Sequence, residues 1–244
     1  MGDASRPELE PHDGGREAGG IDSEMIRYYA ARAGEYDDWY LRRGRNSHGS
    51  TSDAAWRADL EAAADWLGSR PFGGDIVELA AGTGWWSPLL ARCGKLTILD
   101  AAPEPLSLAR ARLAAAGLDV EARVRDVWAE PDRSVNGLFC GFWISHVDRA
   151  RLAEFLGIVA RWLVPGGLFA FIDSRRDPES GARGHRPPEN DVQMRRLDDG
   201  STYQVRKIYY EPADLASALE RAGFSDVDVS TTARFFVLGS ARLR

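Results

Sequence analysis

Three carboxylates each stand at or near the close of a short apolar or alternating run: Glu78 in "IVEL", Asp100 in "KLTILD" and Asp126 in "VEARVRD". The first is followed at once by "AAGTG", where Gly82 and Gly84 let a ligand come close to the backbone. A dinucleotide fingerprint would need a third glycine where Ser87 stands, and an acid beside the following helix would repel a pyrophosphate. Glu78 therefore suits a ligand that carries an ammonium and a sulfonium. Asp100 is placed to accept hydrogen bonds from two ribose hydroxyls, and Asp126 to accept from the exocyclic amine of an adenine flanked by Val127 and Trp128.

A second group of residues suits the partner of such a ligand. His146 follows the apolar run "GLFCGFWI", and a neutral imidazole there either takes a hydroxyl proton, orients an acceptor that is already ionised, or merely caps the structure. Arg195 and Lys207 lie on opposite arms of "RRLDDGSTYQVRK", whose Asp-Gly turn predicts a hairpin; across it they form either an anion clamp or a solvated edge. Arg196 and Arg206 are rivals one residue away, and alternation along a strand lets only one of Arg195 and Arg196 face a site. His12, His48 and His185 fall in loops or the tail and receive no catalytic role. No His/Asp/Glu cluster calls for a metal.

The elements that must position these groups follow from periodicity. Residues 1–20 are rich in Gly, Pro and charge and read as a disordered tail. A helical cap over 21–70 places Met25, Ile26, Tyr29 and Ala33 on one face, then Trp56, Leu60, Ala64 and Leu67 on another. From Pro71 to Arg244 strands alternate with helices, which requires parallel pairing: an α/β, doubly wound sheet. An insertion over about 174–210 comprises a Pro/Gly/charge-rich loop and the hairpin.

Composition narrows the class. The chain has 244 residues, 44% of them hydrophobic, and a net charge of -6, so it fits one ordinary core and offers no basic tract for nucleic acid. Arg42, Arg43 and Arg45 read as a solvated face. Cys93 and Cys140 have no metal-ligand spacing and read as reduced thiols, and no apolar run reaches the length of a membrane span. A cytoplasmic protein with a small-molecule substrate is expected.

The glycine loop with its three acids resembles the class I S-adenosylmethionine-dependent methyltransferases over roughly 76–173. "ELAAGTG" is similar to the family's first motif with Glu78 for the usual Asp and Ala80 for a Gly, "LTILD" to its second, and "LVPGGLF" to the turn before its fifth strand. The resemblance implies a mostly parallel seven-stranded sheet whose last strand is antiparallel, with S-adenosyl-L-methionine as methyl donor and S-adenosyl-L-homocysteine as product. Tyr29, Arg32, Glu78, Ala80, Gly82, Thr83, Gly84, Trp85, Asp100, Ala101, Asp126, Val127, Trp128 and Phe142 are the expected donor-binding residues, Arg32 through the donor's carboxylate. "YYAARAGEYD", "FWISHVD" and "RRLDDG…VRK…EPADL" resemble, more narrowly, the phosphonate O-methyltransferases of dehydrophos-type antibiotic pathways. That likeness implies His146 opposite the transferred methyl and Tyr28, Tyr36, Trp143, Arg195 and Lys207 around an anionic phosphonate or carboxylate. Trp39, Tyr40, Trp85, Trp86 and the N-terminal tyrosines are expected to form a lid. The stretch "WYLRRGRNSHGSTSDAAW" departs from the pattern as a longer basic and aromatic linker. N- or C-methylation of an aromatic natural product, and a non-catalytic module that binds the donor, are the alternatives.

Overall fold

In the computed structural model, which describes residues 14–185 and 188–244, the chain opens with helices α1 (Gly14–Arg32), α2 (Asp37–Tyr40) and α3 (Ser50–Gly68). Strand and helix then alternate as β1 (Asp75–Leu79), α4 (Ser87–Leu90), β2 (Lys95–Asp100), α5 (Pro103–Ala115), β3 (Glu121–Val124), β4 (Val135–Gly141), α6 (Leu152–Trp162) and β5 (Leu163–Ser174). A hairpin of β6 (Val192–Arg196) and β7 (Thr202–Arg206) precedes α7 (Pro212–Arg221), β8 (Phe224–Thr231) and β9 (Phe236–Leu243).

Seven strands form one sheet in the order β3-β2-β1-β4-β5-β9-β8. All pairings from β3 to β5 are parallel, and β9 runs antiparallel to both of its neighbours. Strand order reverses between β1 and β4, so the crevice beyond their carboxyl ends is where such a sheet takes a ligand. Period-two alternation divides the core. Val77, Leu79, Leu138 and Phe169 face the layer of α6 and α7, while Ile76, Ile98, Phe139 and Ile172 face the layer of α3, α4 and α5. The exchange of strand for helix at Gly117 (φ +70°) and Gly223 (φ +94°) uses a left-handed residue just beyond α5 and α7, where a side chain would be strained.

The N-terminal expectations need two corrections. Residues 1–13 of the expected tail lie outside the described residues, but α1 already runs from Gly14, so the tail does not extend to residue 20. Arg16, Glu17 and Ala18 favour helix, and the turn they form extends a helix anchored downstream. The buried face of α1 is also rotated from the expected one. Met25 and Tyr28 pack with Leu197 and Val205 of the hairpin, whereas Ile26 is exposed. The cap helix is thus fastened to the insertion by its own small core. Among the described residues no helix is long and apolar enough to cross a membrane.

Candidate active site

Two cavities open at the carboxyl ends of the strands. The first is lined by Ala80, Gly82, Asp100, Ala101, Asp126, Val127 and Trp128 from the loops after β1, β2 and β3, with Met25 and Ile26 of α1 above and Pro105 of α5 at the side. Asp100 braces the glycine loop. Its Oδ2 accepts the Gly82 N–H at 2.8 Å and its Oδ1 the Ala102 N–H at 2.9 Å, and burial holds its pKa above the usual carboxylate value despite those bonds. Ala80 and Phe142 both take left-handed backbone, at φ +50° and +58°. Ala80 stands where the resembled motif has glycine, and the smallest chiral side chain limits the cost of that conformation. At Phe142, its N–H donates to the Ile172 carbonyl at 2.7 Å, which holds the turn.

Not every expected donor residue reaches this cavity. Glu78 shares the parity of Ile76, so its side chain enters the α4 layer, where it is 1% exposed and accepts the Ser87 hydroxyl at 2.5 Å. Burial, reinforced by Asp100, raises its pKa to about 8. Thr83 turns away to donate to Asp37 at 2.7 Å, and Trp85 stacks flat on Tyr40 at 4.2 Å. Gly84 serves packing: a Cβ there would come within 2.8 Å of Ala109 Cβ. Arg32, expected at the donor's carboxylate, lines the other cavity instead, because it ends α1 with its guanidinium 4.6 Å from the Tyr36 ring centroid.

The second cavity, about 290 Å³, is bounded by Arg32, Trp39, Ser174, Arg195, Lys207 and Tyr209 among others. Tyr29, Tyr36, Phe142 and His146 line both cavities and form the wall between them. His146 Nδ1 lies 2.5 Å from the Arg206 carbonyl, which only accepts, so Nδ1 carries the hydrogen. Nε2 is then the lone pair that accepts the Tyr29 hydroxyl at 2.7 Å. Burial first, and then the positive charge of Lys207, push the His146 pKa well below its ordinary value. The imidazole is neutral and its tautomer is fixed.

Arg195 and Lys207 do not oppose each other as expected. The register pairs Arg195 with Tyr203, and Lys207 lies one residue beyond β7 with its N–H on the Asp191 carbonyl. Both side chains nevertheless enter the second cavity. The Lys207 ammonium is buried, donates to Ser145 Oγ at 2.9 Å and Ser174 Oγ at 3.0 Å, and lies 3.7 Å from Asp173. Burial lowers its pKa to about 8 although Asp173 acts the other way. Arg195 Nη1 donates to His185 Nδ1 at 3.2 Å, and burial together with that guanidinium brings His185 down to about 3. Of the rivals, Arg196 points outward and is exposed, and Arg206 pairs with Asp22 at 2.8 Å. Tyr28 is buried against Tyr203 and lines neither cavity, and Trp143 lines the first cavity rather than the second.

The basic linker is not a solvated face at Arg42, which is 4% exposed with its guanidinium 3.6 Å from the Trp56 ring centroid. It braces the loop after β5. Arg42 donates to the Glu179 carbonyl at 2.8 Å, Trp39 Nε1 to that of Ser180 at 2.6 Å, and His48 Nε2 contacts that of Gly181 at 2.8 Å. Three successive carbonyls of the loop that walls the second cavity are thereby held by one linker. Sequence reasoning missed this, and it missed His185, Ser174 and Tyr209 as lining residues, because long-range contacts between loops leave no period to read. Tyr40, Trp85 and Trp86 form an interlocked aromatic group beside the glycine loop, while Tyr36 and Trp39 reach the cavity wall. Among the described residues no group of three His, Cys, Asp or Glu side chains could hold a metal.

A family model described as a methyltransferase domain matches residues 76–167. A ubiquinone biosynthesis O-methyltransferase of Xanthomonas axonopodis pv. citri is 30% identical over 164 residues, which cover 66% of each chain. This chain thus spans just under two thirds of the length of that curated relative. Solved structures match over more of the chain. DhpI in complex with SAH superposes with a TM-score of 0.73 at 28% identity, covering 92% of this chain and 98% of DhpI. The DhpI–SAM–HEP complex gives 0.73 at 29% identity, covering 91% and 98%.

Proposed function

Because the chain belongs to the class I S-adenosylmethionine-dependent methyltransferases, we propose that it methylates an oxygen of a small anionic acceptor, a phosphonate or a carboxylate, bound in the second cavity. The observation that carries this reading is the convergence of Arg32, Arg195 and Lys207 on a cavity separated from the first by only one layer of side chains. The likeness to DhpI, whose structure holds SAM together with HEP, supports the same division between a donor and an acceptor side.

The first cavity fits the donor on its own terms. A buried, hydrogen-bonded carboxylate, Asp100, faces it beside a glycine loop, with an apolar slot between Ala101, Pro105, Val127 and Trp128 that suits a purine. When bound, S-adenosylmethionine supplies a methyl group on a positively charged sulfur. The acceptor oxygen forms a bond to that carbon as the carbon–sulfur bond breaks and its electron pair passes to sulfur, so donor and acceptor each lose one unit of charge. An acid needs no base for this step. The protein's part is alignment and the exclusion of water, which the wall of Tyr29, Tyr36, Phe142 and His146 performs. Neutral His146 fixes the Tyr29 hydroxyl by accepting its hydrogen bond, which leaves the phenolic oxygen's lone pairs turned away from the imidazole.

Strand alternation provides a test of the clamp. Arg195→Ala should raise the acceptor KM roughly tenfold to a hundredfold with a small change in kcat, whereas Arg196→Ala, one residue along and exposed, should leave KM within about twofold. Equal effects from the two substitutions would contradict the reading. The ionisation of Lys207 sets the pH dependence. Its pKa lies at about 8, so its charge is present below that pH and is lost above it. The acceptor kcat/KM should fall as pH rises through about 8, and Lys207→Gln should remove that limb. His146, held far below its ordinary pKa, should contribute no acid limb in the range of a free histidine.

A further inference from the structure

Arg32 is 9% exposed, and among the described residues it donates no hydrogen bond and joins no ion pair. Its charge is met by ring faces, Tyr36 with its centroid at 4.6 Å and Tyr28 at 5.6 Å, and beyond ion-pair distance by Glu35, and its side chain borders the second cavity. A guanidinium has five N–H donors in a planar fork, and leaving them buried without an acceptor is costly. Arg195 is in a similar state. It meets only a neutral imidazole, and its Nε is enclosed without a partner.

The other charges around the cavity are already compensated. Lys207 spends its donors on Ser145 and Ser174 and lies beside Asp173. Asp177, an acid on the wall, is held by Arg234 at 2.8 and 3.1 Å. Arg176 is exposed at the rim, where water screens it. Among the described residues two enclosed guanidiniums remain with no acid in hydrogen-bonding contact, one on the cap helix α1 and one on the hairpin strand β6.

We infer that Arg32 and Arg195 form the two arms of the acceptor's anion site, and that the acceptor enters it carrying two negative charges. The inference rests on the proposed anionic acceptor and sharpens it. Two forks suit an anion with several oxygens, which accepts from both planes at once. A tetrahedral phosphonate or phosphate head and a short dicarboxylate share this chemistry; a monocarboxylate would leave one buried guanidinium uncompensated. The same count explains how product leaves. Methylation of one oxygen converts a dianion to a monoanion, so the site that is neutralised by the acceptor is one charge short with the product. Because Arg32 belongs to α1 and Arg195 to the hairpin, the anion also ties the cap to the insertion.

The test measures methyl transfer with an alkylphosphonate, its monomethyl ester as inhibitor, a short dicarboxylate and a monocarboxylate of the same length, using the wild type, Arg32→Gln and Arg32→Lys. Binding of S-adenosylmethionine by each variant, read by calorimetry, controls for folding. At least one dianion should exceed the matched monocarboxylate by about tenfold or more in kcat/KM, and the ester should bind about tenfold or more weakly than its parent. Which dianion prevails separates the phosphonate from the dicarboxylate source. Arg32→Gln should abolish the preference by raising the dianion's KM while donor binding stays within about twofold, and Arg32→Lys should restore part of it. A monocarboxylate as good as either dianion, or an Arg32→Gln variant that loses donor affinity and keeps its acceptor KM, would overturn the inference while the anionic-acceptor reading stands. If no acid of any kind is methylated, that reading fails first and this one falls with it.

Discussion

Asp100→Asn should weaken binding of S-adenosylmethionine by on the order of a hundredfold, read by calorimetry on the purified protein. The carboxylate has two duties that an amide cannot share. Its oxygens accept the N–H groups of Gly82 and Ala102, and they border the donor cavity, so a carboxamide must turn its NH₂ toward one of those donors. Losing a charge-assisted hydrogen bond costs about 1.5 to 3 kcal/mol, and the misplaced amide also disturbs the loop. About 3 kcal/mol in total corresponds to roughly the stated factor. Donor affinity within about threefold of the wild type would mean that Asp100 serves the fold alone.

Glu78→Gln should stabilise the protein at alkaline pH and leave it nearly unchanged in mild acid. Glu78 is buried in the layer of α4 with its pKa raised to about 8 from an ordinary 4.5. A raised carboxyl pKa means that the folded chain keeps a proton the unfolded chain has released. The stability linked to this group is therefore full below the unfolded pKa and is lost as pH rises through the folded one. Glutamine accepts the Ser87 hydroxyl without carrying a charge. Urea unfolding should show a gain on the order of 3 to 5 kcal/mol for the variant at pH 8.5, with little difference near pH 5. A gain that is the same at both pH values would contradict the buried-charge explanation.

How much of this site was legible in the sequence depends on the kind of signal each residue leaves. The strands that carry Glu78 and Asp100 and the one that precedes Asp126 are marked by short apolar or alternating runs, and Lys95–Asp100 begins and ends where "KLTILD" does. The alternation of strands and helices gave the parallel doubly wound core, the family resemblance implied seven strands with the last antiparallel, and this is the observed topology. What could not be read was direction. Glu78 shares a strand with core residues and obeys their alternation, which turns it from the ligand into the helical layer. Arg32 was assigned to the donor's carboxylate as a cation that can hold an anion, yet at the end of α1 it lines the second cavity. The hairpin turn was legible but its register was not, so Lys207 was placed across from Arg195 when the pairing puts Tyr203 there. The linker's hold on three loop carbonyls depends on contacts more than 130 residues apart, and no local pattern encodes them.

Release of S-adenosyl-L-homocysteine by the wild-type protein, followed across a panel of phosphonates, carboxylates, phenols and amines, tests the central claim most directly. Turnover confined to one or more of the acids, with the transferred methyl recovered on an acid oxygen, is the predicted result. Turnover of a neutral phenol or an amine, with every acid inert, would contradict it and would make the ring-rich wall of Tyr29, Tyr36, Trp39 and Phe142 the acceptor site in place of the cations.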